Sequence, residues 1–265
     1  MFCDEGGVKI DPEAIKDCLK TEYIGHKIHY VNTLPSTNDE AKRLIREGEK
    51  EGTVVIAEQQ TRGRGRYDHL WFSSDKGVQL SIILRPHINA ARIAKLVMVA
   101  GIAASRAISS YGLNAQIKWS NDLLINEKKV GGILTEVEMD GEVEGCVVGI
   151  GININVSRDE FPEEIKDFAT SISEELGKTI SQEEFTCRLL NEFEVIYNRF
   201  RAEAYEEIME EWRDRCATIG RLVRIRTVGN TFEGEAVGVD RDGSLILELP
   251  NGSLVKVVSG ECTHL

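Results

Sequence analysis

The chain has 265 residues, of which 42% are hydrophobic and 29% charged, and its formal net charge at pH 7 is -12. This length suits one large domain plus a small one, and the negative charge argues against long nucleic acid as a partner of the whole surface. No stretch of the sequence approaches the roughly 18 apolar residues of a membrane span, and the acidic N-terminus has no apolar signal core.

Cysteine usage predicts the redox state and the compartment. The six cysteines are widely spaced and form no Cys-x-x-Cys motif, and the five histidines are scattered, so no zinc signature is present. We expect reduced, mostly structural thiols in a cytoplasmic protein. The six positions are Cys3, Cys18, Cys146, Cys187, Cys216 and Cys262.

The first helices have recognisable start signals. Pro12 opens a short helical pattern over residues 12–20. A strand near residue 30 is followed by Ser36 and Thr37, either of which can cap a helix, and Glu40 lies three residues after Thr37, as a capping box requires. We therefore predict that a second helix begins there.

A sheet follows from the next apolar patterns. Strands are predicted over 53–57 and 78–84, and the second alternates apolar and polar residues. Residues 90–110 predict a long helix rich in small residues. Further strands are expected at 116–119, 123–125, 130–139 and 142–154, with turns at 126–128 and 140–141. Short turns of this kind predict an antiparallel meander.

The pattern of apolar residues changes near residue 217, from helical spacing to short alternating strands. Residues 183–216 are predicted to be helical, with apolar residues at helical spacing between positions 185 and 200. Residues 220–262 predict four short strands (222–227, 231–240, 244–249 and 253–259) joined by tight turns, typical of a small SH3-like barrel. We predict domains at 1–217 and 218–265.

A loop with three arginines and two glycines is the strongest functional signal. It runs from Gln59 to Arg66, directly after a strand pattern, and contains Arg62, Arg64 and Arg66 but no apolar side chain. Such a loop can wrap its backbone and guanidinium groups around a phosphate or carboxylate. Taken alone, a solvated basic loop is an equally good interpretation.

Three other segments carry polar or glycine-rich patterns at the ends of predicted strands. Lys118-Trp119-Ser120-Asn121-Asp122 combines a cation, an amide and a carboxylate, which suits phosphate and Mg²⁺. Lys129 precedes paired glycines at 131–132, and glycines in a strand often permit close approach of a ligand. Residues 149–155 alternate glycine or asparagine with isoleucine. Each segment alone is also compatible with an ordinary turn, hairpin or strand.

Five segments, taken together and in this order, resemble the pattern of the biotin–protein ligases. They are Ser36-Thr37-Asn38, the arginine loop Gln59–Arg66, Lys118–Asp122, the stretch from Lys129 to Gly132, and Gly149-x-Gly-x-Asn. The resemblance is specific from about residue 36 to 155. It implies an α+β fold, with a mixed, largely antiparallel sheet flanked by helices, similar to class II aminoacyl-tRNA synthetases and lipoate ligases. A C-terminal SH3-like β-barrel completes that fold.

The resemblance also implies a reaction. The biotin carboxylate would attack the α-phosphate of ATP, with Mg²⁺, giving biotinyl-5′-AMP and pyrophosphate. A lysine of a biotin carboxyl carrier protein domain would then take the biotinyl group and release AMP. A homodimer is common in the family. About 25 residues precede the first strand, fewer than a winged-helix domain needs, so we expect a ligase without DNA binding.

The family pattern assigns roles to individual residues. For biotin it implies Ser36, Thr37, Asn38, Gln60, Arg64, Gly65, Arg66, Lys129 and Gly132. For ATP it implies Arg66, Trp71, Lys118, Asn121 and Asn153, with Asn121 near Mg²⁺ through water. Lys129, Arg64 and Arg66 are the predicted catalytic residues, because cations must offset repulsion between carboxylate and phosphate.

The sequence departs from the family pattern at two places. Ser120 stands where the family often has proline, and Asp68-His69 replace a usual Gly-Arg. The second departure removes a phosphate-binding arginine, for which His69 or Arg62 could compensate.

Three alternative functions remain open from the sequence. A lipoate or octanoate ligase would share the architecture, and a non-catalytic binding module would share the C-terminal barrel. A single-stranded RNA binder would use the arginine loop, but stacking aromatic residues are sparse around it.

Overall fold

The computed structural model describes residues 10–86, 95–140 and 142–265. Cys3 and the start of the helix predicted over 90–110 therefore lie outside the described residues, as does Gly141 of one predicted turn.

The described chain is built around a seven-stranded sheet. Its strands are β1 (Ile28–Leu34), β2 (Val54–Gln60), β3 (Gly77–Leu84), β4 (Ala115–Lys118), β5 (Asp122–Ile125), β6 (Lys128–Asp140) and β7 (Glu142–Asn153). They lie in the order β1-β2-β3-β7-β6-β5-β4. β1 and β2 are parallel and the other neighbours antiparallel, which confirms the mixed sheet and the predicted meander of β4 to β7.

Helices cover both faces of this sheet. They are α1 (Pro12–Cys18), α2 (Thr37–Arg46), α3 (Leu96–Ser109), α4 (Ile172–Leu176), α5 (Gln182–Arg201) and α6 (Tyr205–Asp214). On one face, Leu44 and Ile45 of α2 pack with Ile83 of β3 in a small cluster. On the other face, Leu80 and Ile82 belong to the large core that contains residues of α3 and α5. The alternation predicted for β3 is thus confirmed.

The helical prediction for residues 183–216 is confirmed over most of its length, as α5 and α6. These two helices are separated at Glu203, whose left-handed φ of 60° a continuous helix does not permit. The capping box predicted at the start of α2 was wrong: Ser36 is the N-cap of α2, but its side chain makes no capping hydrogen bond. Glu40 is instead bound by Arg43, whose Nε donates to it over 2.9 Å.

The C-terminal residues form a second, antiparallel sheet. Its strands are β8 (Leu222–Arg226), β9 (Thr231–Val239), β10 (Leu245–Glu248), β11 (Leu254–Val257) and β12 (Glu261–His264), in the order β11-β10-β9-β8-β12. β12 was not predicted, because Glu-Cys-Thr-His has no apolar alternation. Within this described sheet no pairing joins the two outer strands, so the observed structure is an open five-stranded sheet and the closed barrel stays a prediction.

The cysteine prediction was wrong for one pair. The packing of α1 on α5 brings Cys18 and Cys187 together, and their sulfur atoms are joined in a disulfide. Cys146, Cys216 and Cys262 are free thiols, as predicted. The pairing was not visible in the sequence because 169 positions separate the two residues.

Candidate active site

A cavity of about 360 Å³ lies where the main sheet, the arginine loop and the C-terminal sheet meet. Its lining contains every predicted site residue except Asn153: Ser36, Thr37, Asn38, Gln60, Arg64, Gly65, Arg66, Trp71, Lys118, Asn121, Lys129 and Gly132. Asn153 is buried and its Nδ2 donates to the Thr170 carbonyl over 3.0 Å, so the fold does not bring it to the cavity.

One end of the cavity is a network of neutral hydrogen-bonding groups. Thr37 donates to Gln60 Oε1 from its backbone N–H over 2.7 Å and from its hydroxyl over 3.1 Å. Ser81 Oγ lies 2.7 Å from Thr37 Oγ1 and 2.6 Å from Asn38 Oδ1. The first turn of α2 is thus tied to β2 and β3, and this end of the cavity presents donors and acceptors without net charge.

Glu136 organises the side of the cavity next to this network. Its carboxylate accepts from Asn38 Nδ2 at 2.8 Å, from Lys42 Nζ at 3.0 Å and from Arg64 Nη2 at 2.9 Å. Burial acts to raise the pKa of Glu136, but the hydrogen bonds from Asn38 and Lys42 and the charges of Lys42 and Arg64 outweigh it, so the pKa lies below its ordinary value. Arg64 also binds Asp39, with Nη2 2.6 Å from Oδ1.

Arg66 reaches the opposite side, where Lys118–Asp122 turns between β4 and β5. Its Nη1 donates to Ser120 Oγ and, over 3.3 Å, to Asn121 Oδ1. Its guanidinium carbon also lies 4.9 Å from the centre of the Tyr67 ring. Ser120, which stands where the family often has proline, therefore supplies a hydroxyl that orients this arginine.

Lys129 stands at the centre of the site. Its Nζ lies 2.6 Å from Asp122 Oδ1 and 5.8 Å from the centre of a Trp71 ring. Register places Asp122 opposite Gly132, and a bulge in the same strand pair brings Lys129 beside that carboxylate. An ammonium and a carboxylate therefore share the region where an anionic ligand would meet the sheet.

Glycines in β7 make room for an aromatic and an amide side chain of the site. A Cβ at Gly151 would lie 2.6 Å from Trp71 Cε2, and a Cβ at Gly149 would lie 2.2 Å from Asn38 Oδ1. Real Cβ atoms do not approach so closely, so Trp71 rests directly on the glycine backbone. The structure thus explains the alternating glycines by close approach of protein side chains.

The C-terminal sheet closes one side of the cavity through residues 260–263. His69 Nε2 lies 3.6 Å from Glu261 Oε1, which links the segment after the arginine loop to β12. Trp119 fixes the contact from the main domain, because its Nε1 donates to the Gly243 carbonyl over 3.0 Å. Cys262 follows Glu261 in β12. Burial raises the pKa of its thiol to about 11, so the thiol is neutral at pH 7.

Sequence reasoning missed three residues of this site. Gln79 lines the cavity from β3, Glu136 binds Lys42 and Arg64, and Glu261 contacts His69. Gln79 and Ser81 are the two polar residues of β3, and their position two residues apart, on one face of the strand, was the available signal for Gln79. The other two depend on pairing between segments that are distant in sequence.

The described residues hold no cluster of three or more histidine, cysteine, aspartate or glutamate side chains arranged for a metal ion. In the same ranges, none of the helices combines the length and apolar character that crossing a membrane requires.

Fold and site together define an α+β ligand-binding domain with a polar pocket beside a cluster of cations. Residues 30–153 match the Biotin/lipoate A/B protein ligase family, and residues 218–265 match the Biotin protein ligase C terminal domain. The bifunctional ligase/repressor BirA of Bacillus subtilis is 38% identical over 256 residues, which cover 96% of this chain and 78% of BirA. The biotin–[acetyl-CoA-carboxylase] ligase of Paracoccus denitrificans is 33% identical, covering 83% and 93% of the two chains. The chain belongs to the biotin protein ligase family.

A solved structure supports the same relationship. The biotin protein ligase of Aquifex aeolicus in complex with biotin and ATP superposes with a TM-score of 0.78 and 29% identity, over 90% of this chain and 98% of that one.

Proposed function

We propose that this protein activates biotin with ATP to biotinyl-5′-AMP and transfers the biotinyl group to a specific lysine of a biotin carboxyl carrier protein domain. The observation that carries the proposal is the convergence of Lys129, Arg64 and Arg66 on one cavity whose other end is neutral and hydrogen-bonding. Biotin has the matching form, with a neutral ureido ring and a carboxylate at opposite ends.

The neutral end is assigned to the ureido ring. Thr37 donates to Gln60, and Asn38 Oδ1 accepts from Ser81. Hydroxyl and amide groups of this kind can serve both the N–H donors and the carbonyl acceptor of a ureido. Ser36 and Gly65 complete this part of the lining. Arg64 and Gly132 connect it to the cationic centre.

The cationic centre is assigned to the reacting groups. The biotin carboxylate must approach the α-phosphate of ATP, and like charges repel unless cations lie between them. Lys129 is placed to contact both groups, and Arg66 would stabilise charge that develops on the phosphate in the transition state. Because a mixed anhydride is destroyed by water, closure of the arginine loop is part of the reaction.

The nucleotide is assigned to the side formed by Lys118, Asn121 and Trp71. Mg²⁺ would arrive bound to ATP, since protein sites for this ion usually supply one or two oxygen ligands and leave the rest to phosphates and water. Asn121 offers such an oxygen, and its Nδ2 donates to the Ile133 carbonyl over 2.9 Å, which orients the amide. The ion would neutralise phosphate charge during the attack.

Several wider assignments are also proposals. The boundary at 217/218 is supported by the separate C-terminal sheet, for which we retain the SH3-like assignment. The net charge of -12 supports a ligase that does not bind DNA. A homodimer follows from the family resemblance alone. The cytoplasmic location rests on the wide spacing of the cysteines, and the Cys18–Cys187 disulfide is unusual for that compartment.

Mass spectrometry tests the function directly. The protein is incubated with biotin, ATP and Mg²⁺, first alone and then with a biotin carboxyl carrier domain. We expect biotinyl-5′-AMP in the first experiment and one added biotinyl group on the carrier in the second. Absence of both products would contradict the assignment, as would formation of lipoyl- or octanoyl-AMP by a protein that forms no biotinyl-5′-AMP.

A further inference from the structure

Gln79 of β3 has a buried acceptor without a partner. The side chain is 2% exposed, and its Nε2 donates to the Ser74 carbonyl over 3.1 Å. Its Oε1 is buried and accepts no hydrogen bond from any described residue. Gln79 also lines the cavity, so the amide with the unused oxygen is part of the proposed biotin site.

The neighbouring strands explain why the protein itself supplies no donor. Register places Gln79 opposite Ala57 of β2 and opposite Gly151 of β7. Neither neighbour has a hydrogen-bonding side chain. The Trp71 ring lies above Gly151, but its Nε1–H is buried without any partner and so makes no hydrogen bond to Gln79 Oε1. A donor for Gln79 can therefore come from a molecule that occupies the cavity.

The position of Gln79 indicates which part of the ligand would supply the donor. Ser81 lies two residues further along β3 on the same face of the sheet and contacts Thr37 and Asn38, the groups assigned to the ureido ring. The two ureido N–H groups are the only donors of ionised biotin.

We propose that Gln79 Oε1 accepts a hydrogen bond from a ureido N–H of bound biotin and makes the site selective for carboxylic acids that carry such a donor. The proposal rests on the function proposed above. A buried acceptor that only the correct ligand can satisfy discriminates strongly against analogues without the donor, because those leave the oxygen unpaired.

The test compares Gln79→Met, which keeps the length of the side chain and removes the acceptor, with the unaltered protein. Biotin and its two mono-N-methylated ureido derivatives are titrated calorimetrically against both. We expect Gln79→Met to weaken biotin binding about tenfold or more. For the derivative methylated at the bonded nitrogen, the two proteins should differ less than about twofold, because its donor is already absent.

Thr135→Val is the matched control. Thr135 Oγ1 is also buried without a partner, but the residue does not line the cavity. We expect unchanged biotin affinity. Gln79→Leu provides a second variant without the acceptor, and thermal unfolding of each variant shows that it is folded before its affinity is compared.

Two results would overturn the proposal: unchanged biotin affinity in the folded Gln79 variants, or an equal loss for biotin and for both methylated derivatives. Either failure differs from failure of the proposed function, because the unaltered protein would still form biotinyl-5′-AMP and biotinylate the carrier domain.

Discussion

Lys129 Nζ lies 2.6 Å from Asp122 Oδ1, and this pair joins β5 and β6 at the centre of the cavity. An anion that enters must compete with a carboxylate for the same ammonium group. We therefore expect Lys129 to exchange Asp122 for the biotin carboxylate and the α-phosphate when both substrates bind.

Lys129→Met should lower the rate of biotinyl-5′-AMP formation by roughly 10²–10³, by analogy with loss of one preorganised donor at an oxyanion. The measurement is biotin-dependent exchange of pyrophosphate into ATP. Lys128→Met is the control, since Lys128 is the adjacent residue of β6 and does not line the cavity. Equal rates in the two variants would remove Lys129 from the mechanism.

Arg66→Gly should release the adenylate from the site. Arg66 connects the arginine loop to Ser120 and Asn121, so its loss frees the loop from the nucleotide side. We expect biotinyl-5′-AMP to accumulate in solution and to label lysines of an unrelated bystander protein, measured by streptavidin blotting. Arg62→Gly, an exposed arginine outside the cavity lining, should leave the bystander unlabelled. An adenylate retained in Arg66→Gly as tightly as before would contradict this.

Gly151→Ala should displace Trp71. The added Cβ would lie 2.6 Å from the indole, and forced overlap in a packed site costs about 1–3 kcal/mol. We expect a lower free energy of unfolding and weaker substrate binding, measured by denaturant titration and calorimetry. Gly238→Ala adds the same atom to β9, where nothing lies within 4 Å, and should change neither quantity. Unaltered affinity in Gly151→Ala would show that the ring position is unimportant.

Glu136 should stabilise the fold in a pH-dependent way. Its pKa is lower in the folded protein than in the unfolded chain, where a glutamate titrates near roughly 4.3. Its contribution is therefore complete above the unfolded pKa and is lost as pH falls through the folded pKa. We expect the difference in unfolding free energy between the unaltered protein and Glu136→Gln to shrink on going from pH 7 to below about 4. Glu210→Gln, at an exposed position of α6, should show little difference at either pH. A difference that grows on acidification would refute the assignment.

Local sequence signals were sufficient to predict most of the helices and strands. The meander of β4 to β7 was predictable, because its apolar runs are separated by short polar turns. The break between α5 and α6 was not, since Glu203 adopts a left-handed conformation that its residue type does not favour. β12 likewise has no apolar pattern and is a strand because β8 offers it a free edge.

By itself the sequence determined which side chains carry positive charge or neutral hydrogen-bonding groups near the ends of strands, because residue type limits chemistry. On that basis it predicted which residues would meet an anion and a ureido ring. Only the tertiary structure decided their partners: Arg64 and Lys42 on Glu136, Arg66 on Ser120, Lys129 on Asp122. It also excluded Asn153 from the cavity and added Gln79. The physical reason is that hydrogen bonds and ion pairs act over a few ångströms, and strand register, rather than sequence distance, sets which side chains come that close.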